Sequence, residues 1–140
     1  MPIILSLILA MGLSLPIDPS HTQEKNSSGN EIFDQWGDLL VEHFNLEDMK
    51  VITRIIWCES REKATAKNPN GSAGGLFQII RKTARWVAPK VGQSADTETM
   101  STGIRFNPYW NTRMAAFLFY ETSGGIKHWN ESKSCWGKYA

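Results

Sequence analysis

The sequence predicts a small, mainly α-helical domain with a loop or minimal strand segment at its middle. Three observations carry that expectation. Apolar residues return at three- and four-residue steps over 31–59, an Asn-Pro pair opens a further helical stretch at 107, and turn-forming residues and one short apolar run, 76–80, lie between them. At 140 residues the chain has room for one domain with a sizeable core.

The first element is not part of that domain. Ile3 to Leu15 are mostly apolar, too short for an ordinary membrane span of about 20 residues but of the length of a signal-peptide apolar region. No Lys or Arg precedes the run and no clear small-x-small cleavage site follows it. Residues 1–17 therefore read as a signal peptide, a retained apolar segment or an atypical N-terminus. Residues 18–30, with Pro19, Asn26, Ser27, Ser28 and Gly29, read as a flexible linker, and the domain is expected over 31–140.

Asn30 can cap a helix from about Glu31 to Phe44, whose apolar set is Ile32, Trp36, Leu39, Leu40 and Phe44; Glu31 and Asp34 suit its positive end. Asn45 can stop that helix and cap the next, about 46–59, with Asp48 as a capping-box partner. Met49, Ile52, Ile55 and Ile56 form the apolar face of this second helix. Glu59 lies three and four residues beyond Ile55 and Ile56, so it projects from that face and not from the solvated one. Asn68-Pro69-Asn70-Gly71-Ser72 is a turn signal, and Leu76 to Ile80 is expected to be extended. A short helix is expected near 81–87, ended by Pro89. Residues 90–106 carry no pattern. Asn107-Pro108 starts a helix to about Thr122, closed by Gly124-Gly125.

Charge is divided along the chain. Residues 1–49 hold one Lys against eight acids, and residues 50–140 hold fourteen Lys and Arg against six acids. The basic part is either a solvated surface or a surface for an anionic polymer, with nucleic acid and bacterial wall both eligible. No recognition helix, phosphate loop or nucleophilic Ser/His pairing is present, which favours the wall. His21, His43 and His128 are scattered, and with two cysteines in all no metal-ligand spacing exists. No cofactor is implied. For an exported chain, a Cys58–Cys135 disulfide is the simplest reading; it would close a loop of seventy-odd residues and tie the C-terminus to the residue beside Glu59. Glu59 itself ends a greasy helix, where burial raises a carboxyl pKa and keeps the acid form available to protonate a leaving oxygen, as glycosidic cleavage requires.

An ordered set of residues then runs from Glu59-Ser60 through Asn70-Gly71, Gly75-Leu76-Phe77-Gln78-Ile79, Trp86, Asn107-Pro108, Asn111, Ala115-Ala116, Gly124-Gly125, Trp129 and Cys135-Trp136. This set closely resembles the lysozyme-like domain of soluble lytic transglycosylases, including small secreted and phage-borne versions. The resemblance implies a glycan cleft with the 74–80 segment on one side. It also implies cleavage of the β-1,4 bond between N-acetylmuramic acid and N-acetylglucosamine in peptidoglycan, with Glu59 as single acid and base. The base step falls on the sugar's own 6-hydroxyl in a transglycosylase and on water in a lysozyme; a non-catalytic wall-binding module is the alternative from another class. Glu62, Asp96 and Glu98 are further acids that could serve as nucleophile or base, but all stand in polar contexts and read more readily as solvated surface.

For substrate contact the resemblance points to Gln78, with Gly75, Ser60, Phe77 and Tyr120 as further candidates. Ser60 is equally readable as a local cap, Phe77 as core, and Trp86 and Trp129 as core or as sugar platforms. In larger relatives a Tyr in an Ala-Tyr-Asn-Ala-Gly segment hydrogen-bonds the catalytic acid; Phe119-Tyr120-Glu121 stands here instead, without the Asn. The expected setting is periplasmic or extracellular, as a monomer acting on peptidoglycan strands without nucleic acid or stable membrane insertion.

Overall fold

A computed structural model of the chain describes residues 27–96 and 103–140. The 1–17 segment, most of the 18–30 stretch, His21 and Glu98 lie outside the described residues. The architecture is mainly helical: α1 (Ser27–His43), α2 (Met49–Ser60), α3 (Arg81–Val87), α4 (Pro108–Glu121) and the short α5 (Lys133–Trp136), with 3-10 turns between them. No described helix is long and apolar enough to cross a membrane.

The core is built on α2. Ile52, Ile55 and Ile56 are fully buried, each contributing about 2 kcal/mol through removal of its side chain from water. They share one core with Ile32 and Leu40 of α1, Met114, Ala115 and Leu118 of α4, Leu76 and Phe77 of the central turn, and Trp136 of α5. The expected 3.6-residue periodicity therefore holds where it was strongest.

Local expectations fail where tertiary contacts offer a better partner. α1 starts at Ser27, so Asn30 lies inside the helix and does not cap it. Neither Asn45 nor Asp48 makes a side-chain cap. The Asn45 amide donates instead to the Tyr120 hydroxyl at 2.9 Å, and the Asp48 carboxylate accepts from that same hydroxyl at 2.5 Å. Pro89 ends α3 as expected, inside a 3-10 turn over Ala88–Val91. Asn107 caps α4, its Oδ1 accepting from the Trp110 amide at 3.1 Å, with Pro108 in the first turn.

Two segments differ more. Residues 76–80 are not a strand: isolated bridges pair Gly74 with Lys67 and with Ile79, and Gly75–Gln78 form the tight turn between them. A five-residue apolar run buries as well in a pinned turn as in a strand, and periodicity cannot separate the two. Residues 125–139, for which the sequence supplies no periodic pattern, wind as 3-10 turns over Gly125–Ser132, then α5, then Gly137–Tyr139. The run breaks at Trp129, whose backbone leaves helical geometry (φ −108°, ψ 22°).

Candidate active site

The last turn of α2 delivers the acid. Continuing the Ile55/Ile56 face, Glu59 is half-buried, and the chain leaves the helix at once because Arg61 and Glu62 both adopt positive φ (51° and 62°). Left-handed backbone at two successive non-glycine residues is costly and is characteristic of functional sites. Ser60 is buried, and its hydroxyl donates back to the Ile56 carbonyl at 3.0 Å. Of its two readings, the structure supports the local helix-end bond. The disulfide forms between Cys58 and Cys135, with Cα atoms 6.0 Å apart, and holds α5 against this end of α2.

The C-terminal run supplies the partner that sequence reasoning missed. The Ser132 hydroxyl donates to Glu59 Oε1, and its oxygen accepts the Trp136 Nε1–H at 3.1 Å. That same indole N–H also reaches the Trp129 carbonyl at 2.9 Å, which lies 3.2 Å from the Ser132 hydroxyl. A signal for Ser132 was present: in Trp129-x-x-Ser132-x-x-Cys135 it stands one helical step before the cysteine that binds beside Glu59. Burial holds the Glu59 carboxyl above the ordinary glutamate range and the nearby charge of Glu131 adds to this, while the hydrogen bond from Ser132 pulls the other way. The carboxylate that acts on Glu59 is thus Glu131. Glu62 contributes its backbone carbonyl, which accepts from Trp36 Nε1 at 3.3 Å, and exposed Asp96 accepts from the Ser94 hydroxyl.

The 74–79 turn is pinned by Asn111. Fully buried on α4, Asn111 accepts from the Phe77 amide at 2.9 Å and donates to the carbonyls of Gly74 at 3.0 Å and Arg105 at 2.8 Å. A side chain at Gly75 (φ 82°) would run into the Arg105 carbonyl and the Asn111 amide, at 2.2 and 2.3 Å. Gly75 is therefore required for packing, and its Cα faces inward. Asn111→Ala is expected to cost about 3 kcal/mol because it orphans two buried backbone groups, the Phe77 N–H and the Arg105 carbonyl, while the Gly74 carbonyl keeps the Ile79 amide. Urea unfolding checks this, with Asn107→Ala, which loses only a cap worth about 1 kcal/mol, as the comparison.

Gln78 holds a left-handed conformation (φ 48°), and its Nε2 donates to the carbonyls of Ala66 and Gly75, each at 3.0 Å. Both amide hydrogens are thereby used, which leaves the carbonyl oxygen as the atom Gln78 can offer a ligand. Phe77 is fully buried between Phe44 and Trp129, in the core reading and not the sugar-contact one. Trp129 is also core, its Nε1 donating to the Phe77 carbonyl at 2.9 Å. Trp86 is not core: half of it is exposed, with Lys90 over its ring and Phe117 at its edge.

Tyr120 is not brought to Glu59. Its one proton goes to Asp48, and burial together with that bond raises its pKa to about 12. It lines a separate pocket with His43, Lys90 and Arg113. In this chain Ser132 takes the place at the acid that the resemblance offered to Tyr120. His43 and His128 make local packing bonds, to the Leu39 carbonyl and the Thr122 hydroxyl.

A pocket of about 400 Å³ opens between the turn, the start of α3 and the 3-10 run, lined by Phe77, Ile79, Ile80, Thr83, Trp129 and Glu131. Glu59 does not line it; Glu131, the charged neighbour of Glu59, does. The arrangement offers one acid that retains its proton at higher pH than an ordinary glutamate, one exposed carboxylate, and a part-apolar groove able to take a saccharide.

Residues 43–135, about two thirds of the chain, match the family model described as Transglycosylase SLT domain. No curated protein matches the chain.

Proposed function

The chain belongs to the Transglycosylase SLT domain family, and on that premise we propose that it cleaves the β-1,4 bond between N-acetylmuramic acid and N-acetylglucosamine with Glu59 as its only acid and base. The family is one of glycosidic-bond-cleaving enzymes of the peptidoglycan lytic transglycosylase type, and its domains act on the cell wall. The observation that carries the finer reading is the half-buried Glu59 at the end of α2, its carboxyl raised by desolvation and held by the Ser132 hydroxyl.

Protonated Glu59 gives its proton to the glycosidic oxygen as the C1–O bond breaks and positive charge grows on the sugar. The resulting carboxylate then takes the proton from the sugar's 6-hydroxyl, whose oxygen closes onto C1. The product carries a 1,6-anhydro ring, no water is consumed, and Glu59 ends protonated as it began. Gln78 presents its carbonyl oxygen to a sugar hydroxyl or amide, while Gly75 and Phe77 shape the turn that holds it and Ser60 closes the helix end beneath the acid.

One observation favours a second reading. Glu131 is exposed, lines the pocket and bears electrostatically on Glu59. A carboxylate there can activate water, which makes the enzyme a lysozyme-type hydrolase of the same bond. Glu131→Gln tests it: unchanged turnover is expected of the transglycosylase, and loss of activity would favour the hydrolase. The disulfide suits an oxidising compartment, so the proposed setting is periplasmic or extracellular.

The first step needs protonated Glu59, so kcat/KM falls as pH rises through its folded-state pKa. Because that pKa is raised, the alkaline limb is expected at higher pH than an ordinary glutamate would give. A limb at the ordinary glutamate position, measured on solubilised glycan strands, would contradict the desolvated-acid reading.

A further inference from the structure

The Ser132 hydroxyl has one hydrogen and two acceptors within reach, Glu59 Oε1 and the Trp129 carbonyl. The Trp136 indole N–H occupies one side of the hydroxyl oxygen and also binds the Trp129 carbonyl, so that carbonyl already has a donor. Trp136 is almost fully buried and cannot swing away. With its oxygen held by Trp136 and the competing acceptor served, the Ser132 hydrogen is directed at Glu59. A serine oxygen that accepts one hydrogen bond is also a better donor of the next.

Resting on the acid–base assignment above, we infer that Ser132 is a positioning residue that commits Glu59 Oε1, so that the working proton travels on Oε2. A carboxylic acid whose proton is free to sit on either oxygen spends part of its time with that proton on the wrong one. When Oε1 accepts from Ser132, the proton is left to Oε2, which gives it up in the first step. The same bond then holds the carboxylate in place while Oε2 takes the second proton. One oxygen thus serves both transfers without rotation of the side chain, which a single acid–base residue requires. Glu59 follows Cys58 in sequence, and the Cys58–Cys135 bond fixes the segment that carries Ser132, so the pairing is held covalently at both ends.

Ser132→Ala is a clean probe, because the Trp136 N–H keeps the Trp129 carbonyl and the fold loses no obligatory partner. The expected result is a fall in kcat of about tenfold or more at unchanged KM, the size of a lost hydrogen bond to a charged group. The alkaline limb should also move to higher pH, since the bond that favours ionised Glu59 is gone while Glu131, its charged neighbour, remains. Ser132→Thr, which keeps the hydroxyl, should restore most of kcat and the limb. Melting temperatures of all three proteins show whether the comparison is between folded molecules.

Wild-type kcat and pH profile in Ser132→Ala would overturn the inference. So would a folded Ser132→Thr that stays as slow as the alanine variant, because the hydroxyl would then not be the agent. Glu59→Gln, assayed alongside, separates the two failures. If it is inactive while Ser132→Ala is normal, only the role of Ser132 falls; if it is as active as wild type, the acid assignment falls first.

Discussion

Glu59→Gln is expected to lower release of soluble fragments from purified peptidoglycan by about a thousandfold or more, since in the proposed mechanism one residue performs both proton transfers. The substitution is conservative in the fold. Gln keeps an Oε1 that accepts from Ser132, the disulfide next to it is untouched, and the Ile55/Ile56 face is unchanged. It removes only the group that can gain and lose a proton.

A second consequence separates this from a damaged protein. The Glu59 carboxyl is raised in the folded chain above its unfolded value, so its contribution to stability is fully present below the ordinary glutamate pKa. That contribution is lost as pH rises through the folded value. At neutral pH the ionised carboxylate is a burden on the fold, and the neutral amide relieves it. The inactive variant should therefore melt at a higher temperature than wild type near neutral pH, with the difference closing in acid. An inactive variant that melts well below wild type would mean that activity was lost with structure.

Removing the disulfide has the largest expected effect on stability. The Cys58–Cys135 bond spans 77 residues, and opening a loop of that size costs about 4 kcal/mol in the chain-entropy view. For a domain of this length the melting temperature should fall by roughly 10–15 °C in the Cys58→Ser, Cys135→Ser double variant. Reductant added to the wild type should reproduce the shift. The bond holds the Ser132 segment against the end of α2, so activity should fall at temperatures where the reduced protein is still folded. Equal melting of oxidised and reduced protein would remove the disulfide from the scaffold of the site.

What could be read without a structure followed from how local each signal is. The face of α2, the Asn107-Pro108 start of α4 and the pairing of the two cysteines each depend on a few neighbouring residues or on elimination, and each is found as expected. Glu59 was legible because its position on an apolar face is a matter of spacing. Ser132 and Glu131 lie in a polar 3-10 run with no helical period, and the one signal there, the three-residue step from Ser132 to Cys135, leads to the acid only once the disulfide is drawn. Asn111 shows the same limit. Its place in Asn-Pro-x-x-Asn marked it for the family, but its task of pinning a turn 34 residues away is a tertiary fact. The failed capping box has the same origin, since Tyr120, far along the chain, takes both the Asp48 carboxylate and the Asn45 backbone N–H that the box would have joined.

Mass analysis of the fragments released from purified peptidoglycan in heavy-oxygen water tests the central claim most directly. Proton transfer by Glu59 alone, with the sugar's own hydroxyl as nucleophile, predicts muramic ends that carry a 1,6-anhydro ring, are lighter by one water and hold no heavy oxygen. Reducing muramic ends labelled with heavy oxygen would contradict it and hand the second step to water.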